Sequence, residues 1–237
     1  MKLIDFHAHV IPWADHGSSS IETSLFQLQS AKYHGVERII ATPHFYPQYE
    51  NVERFISRRN ECFDRLKEYL SDDLPNVTLG AEVLICDNIE SMPHLEKLCV
   101  EGTRILLLEL PFTDFSSSFI YTVKTLIKNG YTIVLAHADR YNPENINKLV
   151  SAGAKIQLNV NSLSGLFIPH HLKEWIKGHK VVALGSDIHH ADKTAYKKFT
   201  KAIKHIGDDM EFIISSSNEL LDTNISIDSV LAKSAED

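Results

Sequence analysis

Apolar residues in this chain fall into short, near-continuous runs, separated by stretches in which they recur every three or four positions. The runs Leu3–Val10, Arg38–Thr42, Thr78–Ile85, Arg104–Pro111, Thr132–Ala136, Lys155–Asn159 and Val181–Gly185 predict seven strands. The stretches between them predict helices near residues 22–34, 52–70, 119–129, 144–152, 169–177 and 193–205, with a short one at 218–221. Residues 160–165 read as a loop, and the polar tail from Asp222 as loose chain. Strands apolar on both faces that alternate with helices predict a parallel sheet covered by helices. No Gly-rich phosphate loop is present, so a closed (β/α) barrel, one strand short of eight, is the architecture left. A chain of 237 residues, 43% hydrophobic, suits one domain spanning 1–237.

Polar residues break the apolar runs at one place, the C-terminal ends. Phe6-His7-Ala8-His9 closes the first strand. Residues two apart on a strand share a face, so the two imidazoles converge about 6–7 Å apart along the chain, a spacing that suits a shared metal ion. His44, Glu82, Glu109, His137, Asp187 and His189 sit in or just after five further strands. In a parallel barrel those ends meet on one rim, where active sites of this architecture lie. One carboxylate in an apolar strand is commonly a paired core residue. Eight ligand-type side chains at six strand ends are not accounted for in that way. Three buried carboxylates repel one another unless cations intervene. Imidazole and carboxylate without thiolate favour Mn²⁺, Fe²⁺ or Zn²⁺, and the donors are too many for one ion. The remaining histidines (His34, His94, His170, His171, His179, His190 and His205) read as incidental.

Composition narrows the function further. The net charge is −7 with no Lys/Arg block, which disfavours a nucleic-acid groove or an anionic membrane surface as partner. No apolar run approaches the roughly 20 residues of a membrane span. The N-terminus enters the first strand directly, leaving no room for a signal peptide. Cys62, Cys86 and Cys99 form no CxxC pair and no even framework, as expected in a reducing cytoplasm. The Cys-x5-Arg loop of thiol phosphatases is absent.

The motifs Asp5-Phe-His-Ala-His9, Asp15-His-Gly17, Ala41-Thr-Pro-His44, Gly80-Ala-Glu82, Leu108-Glu109, Ala136-His137 through Arg140-Tyr141 and Ser186-Asp-Ile-His189 resemble those of the PHP (polymerase and histidinol phosphatase) family of metal-dependent phosphoesterases. Within it the chain is most similar to the bacterial capsule- and exopolysaccharide-biosynthesis tyrosine-protein phosphatases. The resemblance implies a distorted (β/α)7 TIM-like barrel and three divalent metals, Mn²⁺ first, with Fe²⁺ or Zn²⁺ as alternatives. It implies that His7, His9, Glu82 and Asp187 hold one ion, that Glu82 bridges to a second shared with Glu109 and His137, and that His44, His189 and the residue before Gly17 hold a third. That residue is His16, where the tyrosine phosphatases carry Asp; histidinol-phosphatase relatives also have His there. Asp15 remains open as the alternative. Arg140 stands where the family places a phosphate-binding arginine. A second arginine expected after the last histidine is missing, and Lys193 is the nearest cation.

The resulting expectation is a phosphotyrosine phosphatase. Arg140, Asp187 and His137 would form the catalytic group, with Arg140, Lys193 and Tyr46 contacting substrate and a metal-bridging water as nucleophile. Three divalent ions against Glu82, Glu109 and Asp187 leave about +3, suited to a phosphate dianion. His190 or Asp139 would supply a proton to a poorer leaving group. The loop Phe45–Tyr49 and Phe112 offer aromatic faces to a substrate ring. The implied partner is the phosphorylated, tyrosine-rich tail of a bacterial kinase. The alternatives are a small-molecule phosphatase such as histidinol phosphatase, a TatD-like or amidohydrolase-type barrel, a polymerase-associated nuclease, and a regulatory protein without turnover.

Overall fold

The computed structural model describes residues 2–112 and 115–223. Among these residues, nine strands, all paired in parallel, are interspersed with helices: β1 (Leu3–Ala8), β2 (Val36–Ala41), β3 (His44–Phe45), β4 (Asn76–Leu79), β5 (Glu82–Leu84), β6 (Ile105–Glu109), β7 (Thr132–Leu135), β8 (Lys155–Asn159) and β9 (Val181–Gly185). They form two sheets, ordered β1-β2-β4 and β3-β5-β6-β7-β8-β9. The nine segments lie on seven lines, because two of the expected strands are interrupted. The second breaks at Thr42-Pro43, where proline has no N–H to continue a ladder. The third breaks at Gly80-Ala81. The two breaks lie side by side: Gly80 N–H donates to Ala41 O at 2.8 Å and Glu82 N–H to Pro43 O at 3.1 Å. Beyond them His44 pairs in register with Glu82. Arg59, buried in the helix alongside, donates Nη1–H to Gly80 O at 2.9 Å and holds the break.

The opposite seam joins the last strand to the first. Asp187 N–H donates to His7 O at 2.8 Å, and His9 N–H to Ile188 O at 3.0 Å. Asp5 secures this seam, accepting Ser186 N–H at 2.9 Å and the Tyr196 hydroxyl at 2.9 Å. The strands therefore follow one another around a distorted (β/α)7 ring.

The helices are α1 (Ile21–Tyr33), α2 (Val52–Lys67), α3 (Ser118–Lys128), α4 (Pro143–Ser151), α5 (Val160–Leu163), α6 (His170–Lys177), α7 (Ala195–Ile206) and α8 (Asp209–Thr223). Three of them start on side-chain caps, with Ser20, Asn51 and Asn142 accepting backbone N–H groups of the first turn. Two expectations change here. Residues 160–165, read as a loop, contain the single turn of α5. The short helix expected at 218–221 extends back to Asp209, because Met210, Ile213, Leu220 and Leu221 are buried and α8 packs on β9 and β1. Asp222 belongs to α8, and the remainder of the tail expected to be loose lies outside the described residues.

Most of the apolar core lies between strands and helices. A second cluster, including Ile105, Leu107, Val134 and Ala183, underlies the functional rim: by strand alternation Ile105 and Leu107 share the β6 face that ends in Glu109. No helix among the described residues is long and apolar enough to cross a membrane.

Candidate metal centre

The eight ligand-type residues named from the sequence come together at the C-terminal ends of the strands. Nε2 of His7 lies 3.1 Å from Nε2 of His9 and 3.1 Å from Glu82 Oε2. His9 Nε2 is 3.3 Å from Glu82 Oε2 and 3.3 Å from Asp187 Oδ1. His44 Nδ1 is 3.0 Å from Glu82 Oε2 and 3.7 Å from Glu109 Oε2. His137 Nε2 reaches Glu82 Oε1 at 2.7 Å and lies 3.8 Å from Glu109 Oε1. His189 Nε2 is 3.5 Å from His44 Nε2. Glu82, completely buried, is the hub, with four imidazoles around its two oxygens.

Three groupings of donor atoms are close enough to share an ion: His7, His9 and Glu82; His44, Glu82 and Glu109; His9, His44 and His189. The first agrees with the expected set, and Asp187 lies beside it. The second carries His44 where His137 was expected, although His137 faces Glu82 from the other side. In the third, His9 takes the place expected of His16. Glu82 Oε2, Glu109 Oε2 and His44 Nδ1 are buried without a hydrogen-bond partner. Buried polar atoms are rarely left so, and a divalent cation among them is the partner this donor set fits.

Charge interactions within the cluster run in several directions. Burial pushes the His7 and His9 imidazoles down, but the surrounding carboxylates outweigh it and leave both raised, His9 well above the ordinary range. Burial and the neighbouring Glu82 charge push Glu109 up to about 7. Asp187 stays far below the usual carboxylate range, because His7 and His9 outweigh its desolvation. His189, desolvated and close to His9, falls to about 4. His137 and Asp187 both adopt left-handed backbone, with φ of 30° and 53°. Such conformations are costly for non-glycine residues and concentrate where a side chain must be aimed.

The first loop distinguishes Asp15 from His16. Asp15 Oδ2 accepts from His9 Nδ1 at 2.7 Å and from His44 N–H at 3.0 Å, while Oδ1 accepts Gly17 N–H at 2.8 Å. Both oxygens are engaged in orienting other groups. His16 is exposed, its ring 4.7 Å from that of His44 and 4.9 Å from that of His189, so the imidazole faces the third grouping. Gly17 has no room for a side chain: a Cβ there would lie 2.4 Å from His9 Cβ.

A second layer of residues had not been anticipated. Gln157, fully buried on β8, accepts at Oε1 from His7 Nδ1 (3.2 Å) and from His137 N–H (2.7 Å), and donates to Asn159 Oδ1 at 3.0 Å. Asn159 in turn donates to Asp187 Oδ2 at 3.0 Å. This chain fixes the tautomer of His7 and leaves its Nε2 free for an ion. The one available signal was polar Gln157 and Asn159 alternating with apolar Ile156 and Leu158 on a strand.

Of the expected substrate contacts, Arg140 stands at the mouth of the cluster, its guanidinium paired with Asp187. Tyr46 is half-buried with its ring stacked on His44 at 5.1 Å. Burial and the acidic cluster push its hydroxyl well above the ordinary range, so it remains a neutral phenol. Lys193 is exposed, and it is Lys198, on α7, that lines the cavity of about 210 Å³ beside Asp187 and His189. Of the two suggested proton donors, Asp139 accepts Asn159 N–H at 2.8 Å, whereas His190 lines that same cavity.

A family model described as "Capsular polysaccharide synthesis, CpsB/CapC" matches residues 3–220. The chain belongs to the CpsB/CapC family. Among CpsB/CapC relatives, it is 28% identical to the tyrosine-protein phosphatase YwqE of Bacillus subtilis, over 95% of this chain and 93% of the relative. It is 22% identical to the tyrosine-protein phosphatase CpsB of Streptococcus agalactiae, over 80% and 84%. Crystal structures described as those of YwqE from Bacillus subtilis and CpsB from Streptococcus pneumoniae, "unique metal-dependent tyrosine phosphatases", superpose with a TM-score of 0.77 at 23% identity, covering 95% of this chain and 96% of theirs. A TatD homologue from Escherichia coli shares the fold more distantly, with a TM-score of 0.54 at 12% identity over 93% and 98%. Every motif of the CpsB/CapC chain named above lies within the matched residues, and the ligand cluster is built from them.

Proposed function

We propose that the protein is a metal-dependent protein-tyrosine phosphatase, one catalytic domain over residues 1–237 acting in the cytoplasm on the phosphorylated tail of a bacterial tyrosine kinase that controls capsular or exopolysaccharide synthesis. The observation that carries this reading is the convergence of His7, His9, His44, Glu82, Glu109, His137, Asp187 and His189 on one rim, with Arg140 at its mouth. Three divalent cations, manganese the first candidate, would be held by these residues, His16 completing the third site. Bound there, they would neutralise a phosphoryl dianion and make water acidic enough to serve as nucleophile near neutral pH.

The chain's own residues do the remaining work. Asp15 and Gln157 hold the His9 and His7 rings so that each presents Nε2 inward. Arg140, with guanidinium donors beyond the one given to Asp187, would grip a non-bridging phosphate oxygen. A phenolate is a weakly basic leaving group and needs little protonation. An aliphatic leaving group needs more, and His190, which lines the cavity beside Asp187 and His189, is the candidate donor. A second reading, a small-molecule phosphomonoesterase such as histidinol phosphatase, draws on the imidazole of His16 beside His44 and His189.

The test is steady-state kinetics of manganese-loaded protein on a phosphotyrosine peptide and on histidinol phosphate. A kcat/KM advantage for the peptide, abolished in His137→Ala and Asp187→Ala, is the expected result. A preference for histidinol phosphate would favour the second reading, and activity persisting in both variants would overturn the site.

A further inference from the structure

A cavity of about 180 Å³ opens beside Arg140, lined in part by Leu110, Phe112, Phe115, Phe119 and Tyr141. It adjoins the ligand cluster through Tyr141, whose ring centroid lies 5.6 Å from that of His137 and 5.7 Å from that of Phe112. The Tyr141 hydroxyl donates to Leu110 O at 2.8 Å, which fixes the ring as a wall. Phe115 and Phe119 meet edge to face at 5.9 Å on the other side. Phe112 is 72% exposed, a large apolar side chain at the cavity wall.

We propose that this cavity is the aryl subsite, which holds the ring of an aryl phosphate while its phosphate sits at the cluster and Arg140 stands at the junction. The proposal rests on the phosphatase reading and adds where the leaving group is recognised. In an aryl phosphate a single oxygen separates ring from phosphorus, so the two subsites must adjoin. Here an aromatic-walled cavity begins one residue beyond Glu109 and shares Arg140 with the anion site. Its volume is of the right order, since a cavity of about 150 Å³ accommodates benzene. Aromatic walls favour edge-to-face and offset contacts with an entering ring. The other aromatic candidate, Tyr46, is already engaged: one face lies on His44 and Tyr49 packs edge-on against it at 6.1 Å. A short aliphatic phosphate would leave the Phe112 cavity unfilled.

The experiment is calorimetric titration of the manganese-loaded, full-length protein with phenylphosphonate and methylphosphonate, whose carbon–phosphorus bonds resist hydrolysis. Phenylphosphonate is expected to bind about tenfold or more tightly, the gain of burying a ring. Phe112→Ala, altering an exposed residue, should bring the ratio of the two affinities towards one, and Phe115→Ala should lower it as well. Equal affinities in the parent protein, or a ratio unmoved in both variants, would overturn the aryl subsite and leave the phosphatase reading intact. Failure of both phosphonates to bind metal-loaded protein would overturn both.

Discussion

Asp15 accepts from Nδ1 of His9 at 2.7 Å, and the same carboxylate oxygen accepts the backbone N–H of His44 at 3.0 Å. One buried oxygen therefore fixes the ring orientation of one candidate ligand and the backbone of another. Burial would raise the Asp15 carboxyl, but its partners outweigh that and hold it well below the ordinary range. It stays ionised, and His9 keeps its Nδ1 proton. Asp15→Asn should lower manganese affinity or turnover by about 10–100-fold with little loss of secondary structure. Titration with manganese and circular dichroism check this, and unchanged affinity would mean the contact does not orient His9.

On the proposed reading, cations bound at the acidic hub would stabilise it. A chelator should abolish turnover and lower the melting temperature, and re-added manganese should restore both. At a free metal concentration a hundred times Kd, a single site contributes about 2.7 kcal/mol to stability. Differential scanning calorimetry with and without chelator measures the shift.

Metal binding should release protons below neutral pH. Glu109, pushed up to about 7, is protonated at about pH 6 in the cation-free protein and must lose that proton to act as a ligand. His9, raised well above its ordinary range, behaves likewise, whereas His189 at about 4 is already neutral. Apparent affinity should therefore rise as pH is raised towards 7 and above. The sign for the cation-free fold is opposite: Glu109 has a folded-state pKa above its unfolded value, so its contribution is complete below about pH 4.5 and is lost through about pH 7. Calorimetry in two buffers of different ionisation enthalpy counts the protons, and no release at about pH 6 would contradict this charge distribution.

Tyr196→Phe removes the hydroxyl that reaches Asp5 Oδ2 and leaves a buried carboxylate oxygen short of a donor. The expected cost is about 1–3 kcal/mol of stability, read from denaturant unfolding, and the manganese stoichiometry should be unchanged. Tyr196 touches none of the candidate ligands directly, so altered stoichiometry would show that the seam also shapes the site.

Gly17→Ala tests how tightly the first loop is drawn against β1. A Cβ 2.4 Å from that of His9 and 2.9 Å from its carbonyl oxygen forces one of the two to move. Turnover should fall by about a hundredfold, the order expected when a positioned group shifts by about 1 Å. Wild-type kinetics in this variant would place the loop farther out.

The candidate ligands were legible in the sequence because each interrupts an apolar strand at its end: His7 and His9 two apart on one face, Glu82 and Glu109 within runs of leucine and valine. The positions of the seven strand lines and of most helices followed from the same periodicities. Gln157 was not legible, since a polar residue on a strand announces no partner, and its partner His7 lies 150 residues away. The break at Gly80 depends on Arg59 from another helix. The full length of α8 escaped because Ser215-Ser-Ser217 disfavours a helix interior. Ser217 instead bonds back to Ile214 O at 3.0 Å and is buried among the helix's apolar neighbours, so tertiary packing overrides propensity.

The seam between β9 and β1 has a consequence for the order of events during synthesis. His7 and His9 leave the ribosome about 180 residues ahead of Asp187 and His189. Until that last strand arrives, His7 O and His9 N–H lack the partners they have at the seam, and the two early imidazoles have only part of their carboxylate company. A nascent chain therefore carries an incomplete set of candidate ligands, and a cation taken up after Ser186–His190 docks would act as a clasp between the two ends of the domain.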